Sequence, residues 1–172
     1  MPSYSIYEMC QNLCSLYRNN KYNEQYIDLI LKNISCTSSL GCDFMEGMSL
    51  MMPFHMQLNL FTIPTWEWVN KLSYTLQGRK TAEIGAGTAL LSVMLQTMNI
   101  DVTPIDNFDR KIEPFIPVRR SDFLKMDICE YDAYIIGWPE MNCSCTKLCK
   151  KIHRYNVEHN TNKLIIYIGE QE

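Results

Sequence analysis

An α/β fold built on a parallel sheet is predicted by three features of the chain. From Lys80 onward, apolar strand-like runs alternate with amphipathic helix-like runs, the pattern of strand–crossover–strand units. The segment Lys80–Thr88, KTAEIGAGT, joins a strand-like run (Thr81, Ala82, Ile84) to a tight Gly85-Ala86-Gly87 turn. A helix-like run (Leu90, Leu91, Met94, Leu95, Met98) follows at once. The next strand-like run, Val102–Ile105, ends in Asp106. Glycines at such a turn let the backbone bend sharply and let a ligand approach without a Cβ in the way. The helix start behind them offers unpaired N–H groups and the positive end of a dipole. An acidic side chain at the tip of the second strand is placed to accept hydrogen bonds from ribose hydroxyls. Strand, glycine turn, helix, strand and carboxylate together read as the first half of a Rossmann-like nucleotide- or nucleoside-binding unit.

The 172 residues suit one core-forming domain. Hydrophobic residues make up 47% and charged residues 20%, which places the chain among globular rather than disordered proteins. A net charge of −3 argues against a protein that coats nucleic acid electrostatically. A local basic patch could form from Arg119 and Arg120 or from Lys147, Lys150, Lys151 and Arg154, although a solvated surface is the plainer reading. No apolar run reaches the roughly 18–20 residues that span a bilayer. The start, MPSYSIYEMC, lacks the basic and apolar regions of a signal peptide. Eight cysteines without such a signal read as reduced thiols, so a cytoplasmic protein is expected.

Ile6, Cys10, Leu13, Cys14 and Tyr17 fall at helical spacing, as do Tyr22, Tyr26, Leu29 and Ile30, with Asn19 and Asn20 between them. This predicts an N-terminal helical extension over residues 1–60, packed on a core of residues 61–172. Methionines at 45, 48, 51, 52 and 56 form a soft apolar segment, a core filler or a lid. His55 beside Phe54 reads as a structural histidine before a general base. Ile63-Pro64-Thr65 looks like a helix start. Val69, Leu72 and Leu76 give that helix a buried stripe, and Gly78 ends it.

Beyond Asp106, a short third strand is expected at about Pro117–Arg120, leading to Ser121-Asp122-Phe123. Tyr131–Gly137 is the fourth strand, apolar enough for burial on both faces. Cys145, Leu148, Cys149, Ile152 and Tyr155 outline an amphipathic helix. Lys163–Ile168 is the fifth strand.

The glycine turn fails the dinucleotide fingerprint G-x-G-x-x-G, because Leu90 holds the third position. Residues 80–170 instead resemble the class I S-adenosylmethionine-dependent methyltransferases. Ala82–Thr88 looks like their glycine-rich first motif and Pro104-Ile105-Asp106 like their second. The likeness is closer to a methyltransferase-like group of bacteria, lower eukaryotes and large viruses. That group pairs an Ile-Pro-Thr helix start, an E-I-G-A-G-T turn, a W-P after strand four and a Y-I-G-E at strand five. The chain carries Ile63-Pro64-Thr65, Glu83–Thr88, Trp138-Pro139 and Tyr167-Ile168-Gly169-Glu170 in that order.

The resemblance implies S-adenosyl-L-methionine as cofactor and assigns roles to individual residues. Gly85, Ala86, Gly87 and Thr88 would lie under its methionine part. Glu83 would orient the turn or hold the methionine amino group. Asp106, with Asn107 beside it, would bind the ribose. Asp122 would accept from the adenine amine with Phe123 against the ring. Asp122 reads equally well as a helix N-cap. Trp138-Pro139-Glu140 sits where amino-group methyltransferases often carry an Asn/Asp-Pro-Pro-aromatic motif. Gly137 and Glu140 depart from that motif and argue against base amino methylation. Trp138, which the resemblance also counts among the cofactor-binding residues, and Glu140 are the catalytic candidates, although methyl transfer often needs little beyond alignment.

The class usually continues past strand five with a helix and an antiparallel strand pair, for which nothing remains before Glu172. A C-terminally shortened sheet of about five strands is therefore expected, with helices on both faces. Its edge would be covered by the N-terminal helices, a partner chain or a second copy. Cys143, Cys145, Cys149 and His153 offer zinc-type ligands, but they lack a C-x-x-C pair, and two of the cysteines lie on the helix's apolar stripe. Core packing is preferred and no metal is expected. The leading functional reading is a methyltransferase of unidentified acceptor. The alternative is a non-catalytic, methyltransferase-like binding or scaffold protein. A nicotinamide-dependent oxidoreductase ranks third.

Overall fold

The computed structural model describes residues 64, 66–107, 114–137 and 144–169. The expected N-terminal helices, the methionine segment, His55, Trp138, Glu140, Cys143 and Glu170 lie outside the described residues. Lys71–Glu172 form one compact unit, which contains every described strand.

The chain enters this unit through helix α1, Trp66–Leu76. Val69 and Leu76 are fully buried, Leu72 is half-buried, and Ser73 replaces it as a buried position. Gly78 stops the helix in the left-handed conformation (φ 73°). That conformation is the usual glycine exit from a helix. Strand β1, Thr81–Ile84, is buried at all four positions, followed by helix α2, Leu90–Thr97, and strand β2, Val102–Asp106. The third strand is shorter than the sequence predicts. Only Arg119–Arg120 pair, as β3, because its ladder to β2 spans just Ile105↔Arg119 and Asp106↔Arg120. Two 3₁₀ turns, Phe123–Lys125 and Ile128–Glu130, lead to β4, Ala133–Gly137. Helix α3, Ser144–His159, and β5, Leu164–Ile168, follow.

All four strand pairings are parallel, and the order is β3-β2-β1-β4-β5. This is an α/β Rossmann-like sheet. The chain steps outward from β1 through β2 to β3 and then crosses back to β4. Right-handed crossovers in opposite directions place α2 and α3 on opposite faces. Alternation along β1 agrees, since successive side chains point to opposite faces. Glu83 meets α2 through Ser92. Ala82 and Ile84 belong instead to the core cluster that holds Leu148 and Ile152 of α3.

That cluster also contains Ile105, Met126, Ile128, Tyr131, Tyr134 and Ile136. Burying an aliphatic side chain of this size contributes about 1.5–3 kcal/mol. Tyr134 is fully buried and donates its hydroxyl to Ile128 O at 2.9 Å. Burial pushes its phenol pKa up, so the hydroxyl stays a donor. Cys145 and Cys149 pack against the same cluster, as expected of small apolar thiols. Among the described residues no three Cys, His, Asp or Glu side chains are gathered to hold a metal ion. Likewise, no helix among them is long and apolar enough to cross a membrane. The outer strand β5 is only half-buried, and Tyr167 is exposed.

Candidate functional site

The strand order reverses beside β1, and the carboxyl ends of the strands at such a point are where ligands of open α/β sheets bind. The glycine turn occupies this point. Gly85 and Gly87 take positive φ (69° and 53°), and Ala89, the residue before α2, does the same at 60°. Among the described residues, no heavy atom beyond the chain neighbours lies within 4 Å of the place where a Cβ on Gly85 would sit. The turn is therefore open to solvent-side approach at its first glycine.

Backbone bonds hold the turn. The N–H groups of Gly85 and Ala86 both donate to Ile105 O, at 2.9 and 3.1 Å. Ala89 N–H donates to Ala86 O at 2.7 Å, and Phe115 N–H to Thr88 O at 2.9 Å. The β1–β2 register, Ile84↔Ile105, sets the ends of both strands side by side. It brings Asp106 to the turn, where its Oδ2 accepts the N–H of Gly87 at 2.9 Å. Asp106 is half-buried and Asn107 is exposed next to it. The structure thus joins the predicted pair of glycine turn and second-strand carboxylate by a direct hydrogen bond.

Glu83 lies behind the turn, 8% exposed. Its Oε2 accepts the Ser92 N–H at 3.1 Å and also the Ser92 hydroxyl. Ser92 stands in the first turn of α2, where the backbone N–H groups have no intrahelical acceptor and the dipole favours negative charge. Burial raises the Glu83 pKa to about 7. The two Ser92 bonds oppose that rise, and the negative charge of Asp106 adds to it. These contacts tie β1 to the first turn of α2.

Thr88 is 1% exposed, and its buried Oγ1 has no hydrogen-bond partner among the described residues. Such a group costs about 1–3 kcal/mol unless something completes it. The side chain sits between the second glycine and the helix start, at the heart of the candidate site.

Asp122 takes the capping role. Its Oδ1 accepts Leu124 N–H at 3.0 Å at the head of the first 3₁₀ turn, and Lys125 faces it at 3.5 Å. Phe123 is half-buried against the core cluster. Asp127 repeats the device one turn later, accepting Cys129 N–H at 2.8 Å. The bond holds its carboxyl below the ordinary range. Sequence reasoning missed this second cap, though an Asp two residues before a small polar residue was its visible signal. The catalytic candidates Trp138 and Glu140 follow β4 but lie outside the described residues. No protein-family model matches the chain, and no curated protein matches it in sequence.

Proposed function

We propose that the glycine turn at the carboxyl ends of β1 and β2 binds S-adenosyl-L-methionine and that the protein is a methyltransferase. One observation carries the reading: the carboxylate of Asp106 is fixed to Gly87 N–H at the topological switch point of a parallel sheet. A carboxylate so held stands beside an open glycine backbone, the pairing that a ribose and its neighbouring chain need. The space over Gly85 and the orphan hydroxyl of Thr88 suit a ligand laid across the turn. The residues present therefore fit the group.

In this reading Asp106 accepts from the ribose hydroxyls, and Gly85 and Gly87 allow the methionine portion close to the backbone. Glu83 acts one layer behind, holding α2 to β1 so that the turn keeps its shape. Its negative charge, when ionised, also favours a cation above the turn. The bound cofactor supplies a methyl group on a sulfonium centre, and the chain's contribution is to align an acceptor with it. The acceptor would enter beyond β4, next to Trp138 and Glu140.

Mass spectrometry of the supernatant from denatured protein tests the reading. Copurified S-adenosylmethionine or S-adenosylhomocysteine supports it. Absence of both, together with no methyl transfer when cofactor is supplied, favours a non-catalytic scaffold.

A further inference from the structure

The exposed side of α3 carries charges arranged against the helix's own stability. Lys147, Lys150, Lys151 and Arg154 are all exposed and fall at i, i+3, i+4 and i+7, one stripe of the helix. Pairs three and four apart on a helix are neighbours, and like charges there repel. The stripe contains four such pairs: 147–150, 147–151, 150–154 and 151–154. Lys147 also lies in the first turn, where the dipole disfavours a cation, and no acidic residue occupies that turn. Glu158, four residues past Arg154, is the first acidic residue of the helix. Neither ion pair among the described residues involves Lys147, Lys150 or Arg154. Lys151 is the exception in the stripe, since it donates to Leu124 O and Met126 O at 3.3 and 2.7 Å. Local choices that oppose stability tend to mark functional surface.

The opposite side of α3 is already committed. Leu148 and Ile152 are fully buried, and Cys145, Cys149 and Tyr155 pack on the core. One exposed apolar residue, Val157, remains near the far end. The helix has no apolar face left to enter a lipid surface, which amphipathic membrane helices require. What remains is a row spanning about 10 Å of helix axis, in which Lys147, Lys150 and Arg154 have no ion-pair partner among the described residues. It lies on a chain whose net charge is −3. Since α3 follows β4 in a parallel sheet, the stripe begins at the same end of the sheet as the glycine turn.

We infer that the Lys147–Lys150–Arg154 stripe of α3 is a docking surface for the phosphodiester backbone of a nucleic acid. Consecutive phosphates offer regularly spaced negative charge, and each cation that meets one releases a counterion. This surface is independent of cofactor binding and stands or falls without the methyltransferase reading.

Fluorescence anisotropy with a labelled single-stranded oligonucleotide tests it on the full chain. Binding is expected at 50 mM salt. Its logarithm should fall with the logarithm of salt at a slope of about −2, three contacts at ~0.7 each. The triple variant Lys147→Gln, Lys150→Gln, Arg154→Gln should bind at least tenfold more weakly, with a flatter slope. Its Tm should be equal or higher, because the like-charge repulsion is relieved. Absence of binding by the wild type overturns the inference, as does unchanged affinity in the triple variant. Equal competition by polyglutamate or by anionic phosphatidylserine vesicles also overturns it, by showing that any polyanion suffices.

Discussion

Asp106 Oδ2 accepts the backbone N–H of Gly87 at 2.9 Å, so the tip of β2 holds the turn that follows β1. Removing the acceptor leaves a part-buried N–H in need of water. Asp106→Ala should lower unfolding stability by about 1–2 kcal/mol in urea titrations. Asp106→Asn keeps an acceptor oxygen and should cost less than half of that. A stability loss equal in both variants would show that charge, not the hydrogen bond, fixes the turn.

Glu83 couples the site to pH. Its folded-state pKa of about 7 lies above the ordinary carboxylate value, because burial penalises the charged form. Between those two values the folded state holds more protons than the unfolded chain, so stability falls as pH rises through this window. The contribution is complete below about pH 4.5 and lost above about pH 7, on the order of 3 kcal/mol at most. Urea midpoints at pH 5 and pH 8 check this. The wild type should lose stability between them, and Glu83→Gln should flatten that part of the profile.

Gly85 adopts φ 69° with open space where a Cβ would go. Gly85→Ala should therefore cost about 1–2 kcal/mol through backbone strain alone, without a steric clash. Thermal unfolding measures the cost. A neutral effect would mean that the turn relaxes to another conformation, visible as altered amide exchange at Gly87.

Tyr134→Phe removes the buried hydroxyl that donates to Ile128 O. The orphaned carbonyl should cost about 1–3 kcal/mol, read from chemical denaturation. Affinity for the proposed cofactor should be unchanged, since the residue lies in the core between α3 and the sheet.

The sheet was legible because buried parallel strands are continuous apolar runs, as in Ala133–Gly137, and Gly78 and Gly85–Gly87 punctuate them. The limits of β3 were not legible. Its two-residue ladder depends on pairing with Ile105 and Asp106, which no local pattern encodes. The left-handed Ala89 was equally hidden, because the bonds around it, Ala89 N–H to Ala86 O, Phe115 N–H to Thr88 O and Val93 N–H to Ala89 O, form only in the folded turn. Of the site residues, the glycine turn and Asp106 were visible as a pair, whereas their hydrogen bond follows from strand register. Glu83 offered two readings in sequence, and neither predicted its burial against Ser92. For Asp122, the capping that the sequence offered is present in its bond to Leu124.

Titration calorimetry with S-adenosylhomocysteine tests the central claim most directly, with wild type and Asp106→Asn compared under identical conditions. Saturable one-to-one binding is predicted for the wild type, weakened tenfold or more by a substitution that leaves the turn folded. No heat and no thermal stabilisation of the wild type at millimolar ligand would contradict the account.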